Sequence, residues 1–213
     1  MSRFAILLNG PVSLTGRLRE QTQGTRALAA DGGIVHAAPL GLEVELWVGD
    51  FDSTPNALSE LYAHVPRLKF PAAKDKTDGE LAAEEAIRRG ATSLLLIGSF
   101  GGQADHALGH LTLSVKLAKA GLPTLLTSGE EEAYPLLPGS TRLILPDSSR
   151  LCLIALADLM GLTLRGTHWA LEEARVDLGS TSTLSNIAKG PVEIHLRSGY
   201  GIAIAYPKQN EAR

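Results

Sequence analysis

Leu46-Trp47-Val48-Gly49-Asp50-Phe51-Asp52-Ser53 is an apolar run that ends in two carboxylates one residue apart. Such an ending fits the exit of a buried strand rather than the middle of a core. Leu46, Trp47 and Val48 would form the strand end, and Gly49 would let the backbone turn closely at its C-terminal edge. Asp50 and Asp52, as alternate residues of an extended turn, would then face one side of that edge. Two anions held there repel each other unless a cation sits between them, and hard oxygen donors favour Mg²⁺ with a phosphate-bearing substrate. The same residues also read as a turn with a helix cap ahead of Thr54-Pro55, and the motif alone does not choose between the two.

Working outward, short apolar runs alternate with helix-like segments as far as residue 127: Phe4 to Leu8, Ala27 to Ala30, Glu45 to Val48, Arg67 to Phe70, Leu94 to Ile97 and Thr124 to Leu126. Each is the length of one buried strand, and the alternation predicts an α/β unit, a mostly parallel sheet with flanking helices. The runs are followed by Asn9-Gly10, Asp31-Gly32-Gly33, Gly49-Asp50, Pro71 with Asp75 to Asp78, and Gly98 with Gly101-Gly102. In an open parallel sheet ligands bind beyond the carboxyl ends of the strands, so these exits should converge on one crevice.

Thr77-Asp78-Gly79-Glu80 matches a capping box, with Gly90 as the stop, and places Asp78 in the first turn of a helix. A first-turn carboxylate is favoured there whatever its function. Lys74-Asp75-Lys76-Thr77-Asp78 at a strand exit reads either as a metal- and phosphate-facing cluster or as a solvated salt-bridged loop. Gly98-Ser99-Phe100-Gly101-Gly102 lets backbone approach an anion, without matching the dinucleotide fingerprint; Gly10 to Arg17 lacks the spacing and lysine of a P-loop. Asp105 and His106 open a helix running to about Ala120, and His106 at that position also has a plain structural reading.

Residues 128 to 140 carry Gly129, Glu130-Glu131-Glu132, Pro135, Pro138 and Gly139, and read as a linker with a solvated acidic run. The short segments beyond it predict an antiparallel β-sandwich or barrel. The expected division is 1–128 as the α/β unit and 129–213 as the β unit. In the latter, the hydroxyl-rich loop Gly179 to Asn186 with Trp169 is either turn chemistry or a hydrogen-bonding and stacking site for a flat ligand.

The 213 residues are 44% hydrophobic and 20% charged, enough to bury a sizeable core. A net charge of −3 and no Lys/Arg cluster argue against a nucleic-acid protein. No apolar run is long enough for a membrane span, so a cytoplasmic location is expected. The single cysteine, Cys152, allows no internal disulfide and reads as a small core residue.

In their order, Ala30-Asp31-Gly32-Gly33, Gly49 to Ser53, Lys74 to Glu80 and Gly101-Gly102-Gln103-Ala104-Asp105-His106 together resemble the thiamine pyrophosphokinase family, and Trp169 and Ser185-Asn186 resemble that family's thiamine-site elements. The resemblance covers most of the chain. It implies transfer of a diphosphoryl group from ATP to thiamine, Mg²⁺ as cofactor, an N-terminal catalytic unit and a C-terminal β-sandwich. It further implies a homodimer whose thiamine sites are shared between subunits. On this resemblance Asp50, Asp52 and Asp75 would hold metal, with Asp78 and Asp105 also catalytic. Asp31, Gly32, Gly33, Lys74, Lys76, Thr77, Gly101, Gly102 and Gln103 would meet ATP, and Trp169, Ser185, Asn186 and His106 would meet thiamine. The chain departs from the family pattern at Gln103, where Arg is usual, at His110, where Asn is usual, and at Val44-Glu45, where Pro-Asp is common. Gln103 removes a permanent charge and a bidentate fork for phosphate.

Overall fold

The computed structural model describes residues 2–52, 54–71 and 75–209. The chain divides into two units, Met1–Leu113 with Leu122–Gly129, and Ser114–Gly121 with Glu130–Arg213. No helix among the described residues is long and apolar enough to cross a membrane.

Six strands build the sheet of the first unit: β1 (Arg3–Leu7), β2 (Arg26–Ala30), β3 (Val44–Gly49), β4 (Arg67–Lys69), β5 (Ser93–Ile97) and β6 (Thr124–Thr127). All are parallel, in the order β6-β5-β1-β2-β3-β4. Helices α1 (Gly16–Thr22), α2 (Ala37–Leu40), α3 (Asn56–Leu61), α4 (Asp78–Arg88) and α5 (Ala104–Lys119) run between them, and a 3₁₀ turn covers Asp31–His36. The apolar runs are continuous rather than alternating because the inner strands are covered on both faces. Ala5, Leu7, Ala27, Ala29, Trp47, Leu95 and Ile97 line one face and pack with Leu18, Ile34, Leu40 and Tyr62. Trp47 is fully buried, and its indole N–H donates to the Asp31 carbonyl at 2.7 Å, so the ring enters the core without an unsatisfied donor.

The chain lays β2, β3 and β4 to one side of β1, then returns to place β5 and β6 on the other. The order therefore reverses between β1 and β5, and a crevice opens at the carboxyl ends of strands at such a reversal. Asn9-Gly10 and Gly98 to Gly102 are the exits that border it.

In the second unit, strands β7 (Glu132–Leu136), β8 (Gly139–Leu143), β9 (Arg150–Ala155), β10 (Leu159–Thr167), β11 (Leu171–Val176), β12 (Asn186–Leu196) and β13 (Gly201–Tyr206) pair antiparallel, in the order β11-β10-β12-β9-β13-β7 with β8 on β12. The start of β12 pairs with β9 through Asn186 and Ile187, and its later residues pair with β8 and β10. One core gathers side chains from these strands, among them Leu136, Leu143, Leu153, Leu164, Val176, Ile194 and Ala203.

The linker expected over 128–140 is not there. Glu132 to Leu136 form β7 and pair with Gly201 to Ala205, so backbone pairing overrides the local signal of Pro135 and the acidic run. Nor is that run wholly solvated: Glu132 is 1% exposed and accepts a short hydrogen bond from the Tyr134 hydroxyl. Cys152 is buried, as expected of a small core residue, and its sulfur accepts from the Ser185 N–H at 3.2 Å.

Candidate active site

The exits of β1, β2, β3 and β5 interlock because glycine stands at each point of contact. A Cβ on Gly33 would collide with the Leu7 carbonyl, one on Gly49 with the Asp31 carboxylate, and one on Gly10 with the Gly98 and Phe100 carbonyls. The contact at Gly49 sets the Asp31 carboxylate against the end of β3, whose next residue is Asp50. Asp31 itself has φ 43°, in the left-handed region that a non-glycine residue enters at a cost. The Trp47 indole bonded to its carbonyl helps hold it there.

The turn after β3 is not extended as the sequence suggested. Phe51 has φ 62°, and the Asp50 carboxylate accepts from the Asp52 N–H at 3.1 Å, a local turn closed by the side chain. Phe51 packs edge-on against Trp47 at 5.1 Å between ring centres, tying the turn to the core. Asp50 is half-buried and Asp52 exposed, with the Lys69 ammonium 3.9 Å from Asp52. Ser53 and Lys74 lie outside the described residues.

Thr77 caps α4, its hydroxyl accepting from the Glu80 N–H at 3.2 Å. Asp78 is half-buried as the first residue of that helix, whereas Asp75 is exposed two residues before the cap. Lys76 pairs with Glu84 at 2.6 Å, so the salt-bridged reading of this loop holds for Lys76. Gly101 and Gly102, at φ 70° and 65°, lead through exposed Gln103 into α5, where Asp105 accepts from the His106 N–H at 2.9 Å.

Among the described residues no group of three or more His, Cys, Asp or Glu side chains is gathered closely enough to hold a metal ion, so Asp50, Asp52 and Asp75 do not form a preassembled cage. The donor set still suits Mg²⁺. That ion keeps several waters and binds through one or two carboxylates completed by substrate phosphates, and the Asp50–Asp52 turn offers such a pair.

Two histidines that sequence reasoning did not assign to a site sit under these exits. His36 donates from Nε2 to the Gly10 carbonyl at 2.9 Å, and His110 meets the Ser99 carbonyl through Nδ1 at 3.4 Å. His110 also packs on Gly79 at the start of α4, and the His106 ring lies 6.3 Å away. Burial holds both imidazoles below the usual histidine range; the carbonyls oppose that shift, and His106 adds to it at His110. The unfolded chain therefore takes up protons before the folded chain as pH falls, and stability is lost downward from about pH 6.5. Denaturant titrations at pH 7.5 and 5.5 should show a lower midpoint at the acid pH, and His110→Asn should narrow that gap.

In the second unit Trp169 is 62% exposed, between β10 and β11. Asn186 is buried and acts as a clamp: its carbonyl accepts from the Trp169 N–H at 3.2 Å and the Ile187 N–H at 2.9 Å, and its amide donates to the Trp169 carbonyl at 2.7 Å. The structure thus joins Trp169 and Asn186, with Ser185 adjacent, exposed and at φ 62°. It also shows that Asn186 spends its amide on the backbone that presents the indole.

A family model described as thiamin pyrophosphokinase, catalytic domain, matches residues 20–126. The thiamine pyrophosphokinase of Bacillus subtilis (strain 168) is 29% identical over 191 residues, 87% of this chain and 89% of that protein. The crystal structure of a Bacillus subtilis thiamine pyrophosphokinase superposes with a TM-score of 0.85 at 25% identity, covering 97% of this chain and 100% of the other. A thiamin pyrophosphokinase family protein from Enterococcus faecalis has a TM-score of 0.82 at 24% identity, covering 98% and 100%, a likeness of fold.

Proposed function

Because the chain belongs to the thiamin pyrophosphokinase family, we propose that it is an ATP-dependent thiamine diphosphokinase, moving the diphosphoryl group of ATP onto the thiamine hydroxyl to give thiamine diphosphate and AMP. The observation that carries the reading is the exit of β3. There Asp50 and Asp52 share one turn, with Asp31 brought alongside by Gly49. Diphosphoryl transfer needs in-line positioning and charge neutralisation more than covalent help from the protein. The thiamine hydroxyl oxygen forms a bond to the β-phosphorus, the bond from that phosphorus to the oxygen shared with the α-phosphate breaks, and AMP leaves.

Asp50 and Asp52, with Asp75, are assigned to Mg²⁺, which when bound neutralises phosphate charge. Asp31, Gly32 and Gly33 and the Gly101-Gly102 backbone, which can approach phosphate oxygens without side chains in the way, are assigned to the nucleotide and diphosphate path. Lys74, Thr77 and Gln103 are assigned to the nucleotide as well. Lys76 would reach it only by leaving Glu84. Asp78 and Asp105 are assigned to the catalytic set, Asp105 to orienting the substrate, and His106 to thiamine. Residues 1–128 are read as the catalytic unit and 129–213 as the thiamine-binding unit, a β-sandwich, a description supported by the core gathered between its antiparallel strands. Trp169 supplies the stacking face, Ser185 a hydroxyl, and Asn186 the support beneath them. The active form is read as a homodimer with Mg²⁺.

AMP release from Mg²⁺-ATP is the test of substrate class. It should depend on thiamine, saturate with it, and not be supported by pyridoxine or other ring-bearing alcohols. AMP formed equally with any such alcohol would overturn the thiamine assignment, and saturable thiamine binding with no AMP would leave a binding protein in place of an enzyme.

A further inference from the structure

Three glycine-bearing exits must keep their mutual register for the nucleotide side of the site to exist, and one side chain spans two of them. His36 closes the 3₁₀ turn that begins with Asp31-Gly32-Gly33, and its Nε2 lies 2.9 Å from the Gly10 carbonyl at the exit of β1. A carbonyl only accepts, so Nε2 carries the proton. Gly10 in turn donates its N–H to the Gly98 carbonyl at 3.0 Å, and its Cα rests on the Gly98 and Phe100 carbonyls with no room for a Cβ. The next residue, Pro11, lies under Gly101, where a Cβ would come within 2.8 Å of the proline ring. The chain of contacts therefore runs from Asp31–Gly33 through His36 and Gly10-Pro11 to Gly98–Gly102. It links the β2 exit to the β5 exit across the point where the strand order reverses.

We infer that His36 is a positioning residue for ATP: by clamping the Gly10 carbonyl it sets the Asp31–Gly33 turn and the Gly98–Gly102 loop at the separation that the triphosphate requires. The inference rests on the functional reading above. It assigns His36 a role exercised through the Gly10 backbone. Removing the donor leaves the half-buried Gly10 carbonyl without its side-chain partner and frees the β1 exit to shift. The effect should therefore fall on ATP and spare thiamine.

The test compares wild type with His36→Gln, which keeps a donor at similar reach, and with His36→Phe and His36→Ala, which do not. In the variants without a donor, KM for ATP should rise about tenfold. KM for thiamine should stay within about twofold, and the Gly10 amide should exchange its hydrogen faster. His36→Gln should restore both ATP affinity and slow exchange. The inference is overturned if ATP affinity and Gly10 exchange are unchanged without the donor, if thiamine affinity falls in parallel, or if His36→Gln behaves like His36→Ala. Should the wild type form no AMP, the functional reading fails separately, and the Gly10 exchange rates still decide whether the clamp exists.

Discussion

Asp50→Asn is expected to lower diphosphoryl transfer by about 10²- to 10³-fold while leaving the fold intact, as read by kcat and by thermal melting. The side-chain oxygen of Asn can still accept from the Asp52 N–H, so the turn that Asp50 closes survives. Only the negative charge is lost. A loss of rate with an unchanged melting temperature therefore assigns the charge, not the shape, to the reaction. Asp52→Asn should behave similarly, because Asp52 is exposed and its described ionic contact is Lys69 at 3.9 Å, a distance at which an exposed pair contributes little to stability. A large fall in melting temperature in either variant would mean that these carboxylates serve the fold.

Trp169→Ala is expected to raise KM for thiamine about 10- to 100-fold, the range in which stacking of a flat heterocycle on an aromatic side chain falls. KM for ATP should hardly change. At 62% exposure the indole contributes little to the core, so its loss should not unfold the protein. Trp169→Phe should recover part of the affinity, since a smaller π-face remains. Asn186 differs from Trp169 in kind: truncating it strips partners from the Trp169 backbone on both its N–H and carbonyl sides, and its effect on thiamine would be transmitted through the indole.

The parallel sheet was legible because its inner strands are continuous apolar runs that end at glycine, as at Val48-Gly49 and Ile97-Gly98. The capping box at Thr77 was legible because its signal is local: Thr77 and Glu80 lie three residues apart, and the Thr77 hydroxyl accepts from the Glu80 N–H. Strand β7 was hidden. Pro135 and Glu130 to Glu132 carry a local loop signal, and pairing with Gly201 to Ala205, far along the chain, makes Glu132 to Leu136 a strand. Strand β11 was hidden as well, since Leu171 to Val176 holds two glutamates and an arginine and takes its place through β10.

The candidate site shows the same division. Asp50 and Asp52 stood out because they end an apolar run one residue apart, while Asp31 and the glycine pairs joined them as candidates through the order of motifs that the family resemblance rests on. His36 did not stand out. Its partner is the backbone of Gly10, 26 residues away, and a main-chain carbonyl leaves no mark in a sequence. Asn186 was expected at the site from the family resemblance, and the inward turn of its amide to Trp169 was not legible.

The most direct measurement follows the phosphorus. The protein is incubated with Mg²⁺, thiamine and ATP labelled at the β-phosphorus, and the nucleotide and thiamine products are separated. Transfer of the diphosphoryl group predicts all transferred label in thiamine diphosphate, matched by unlabelled AMP, with both falling together in Asp50→Asn. Labelled ADP accompanied by unlabelled thiamine monophosphate would show transfer of a single phosphoryl group and contradict the account.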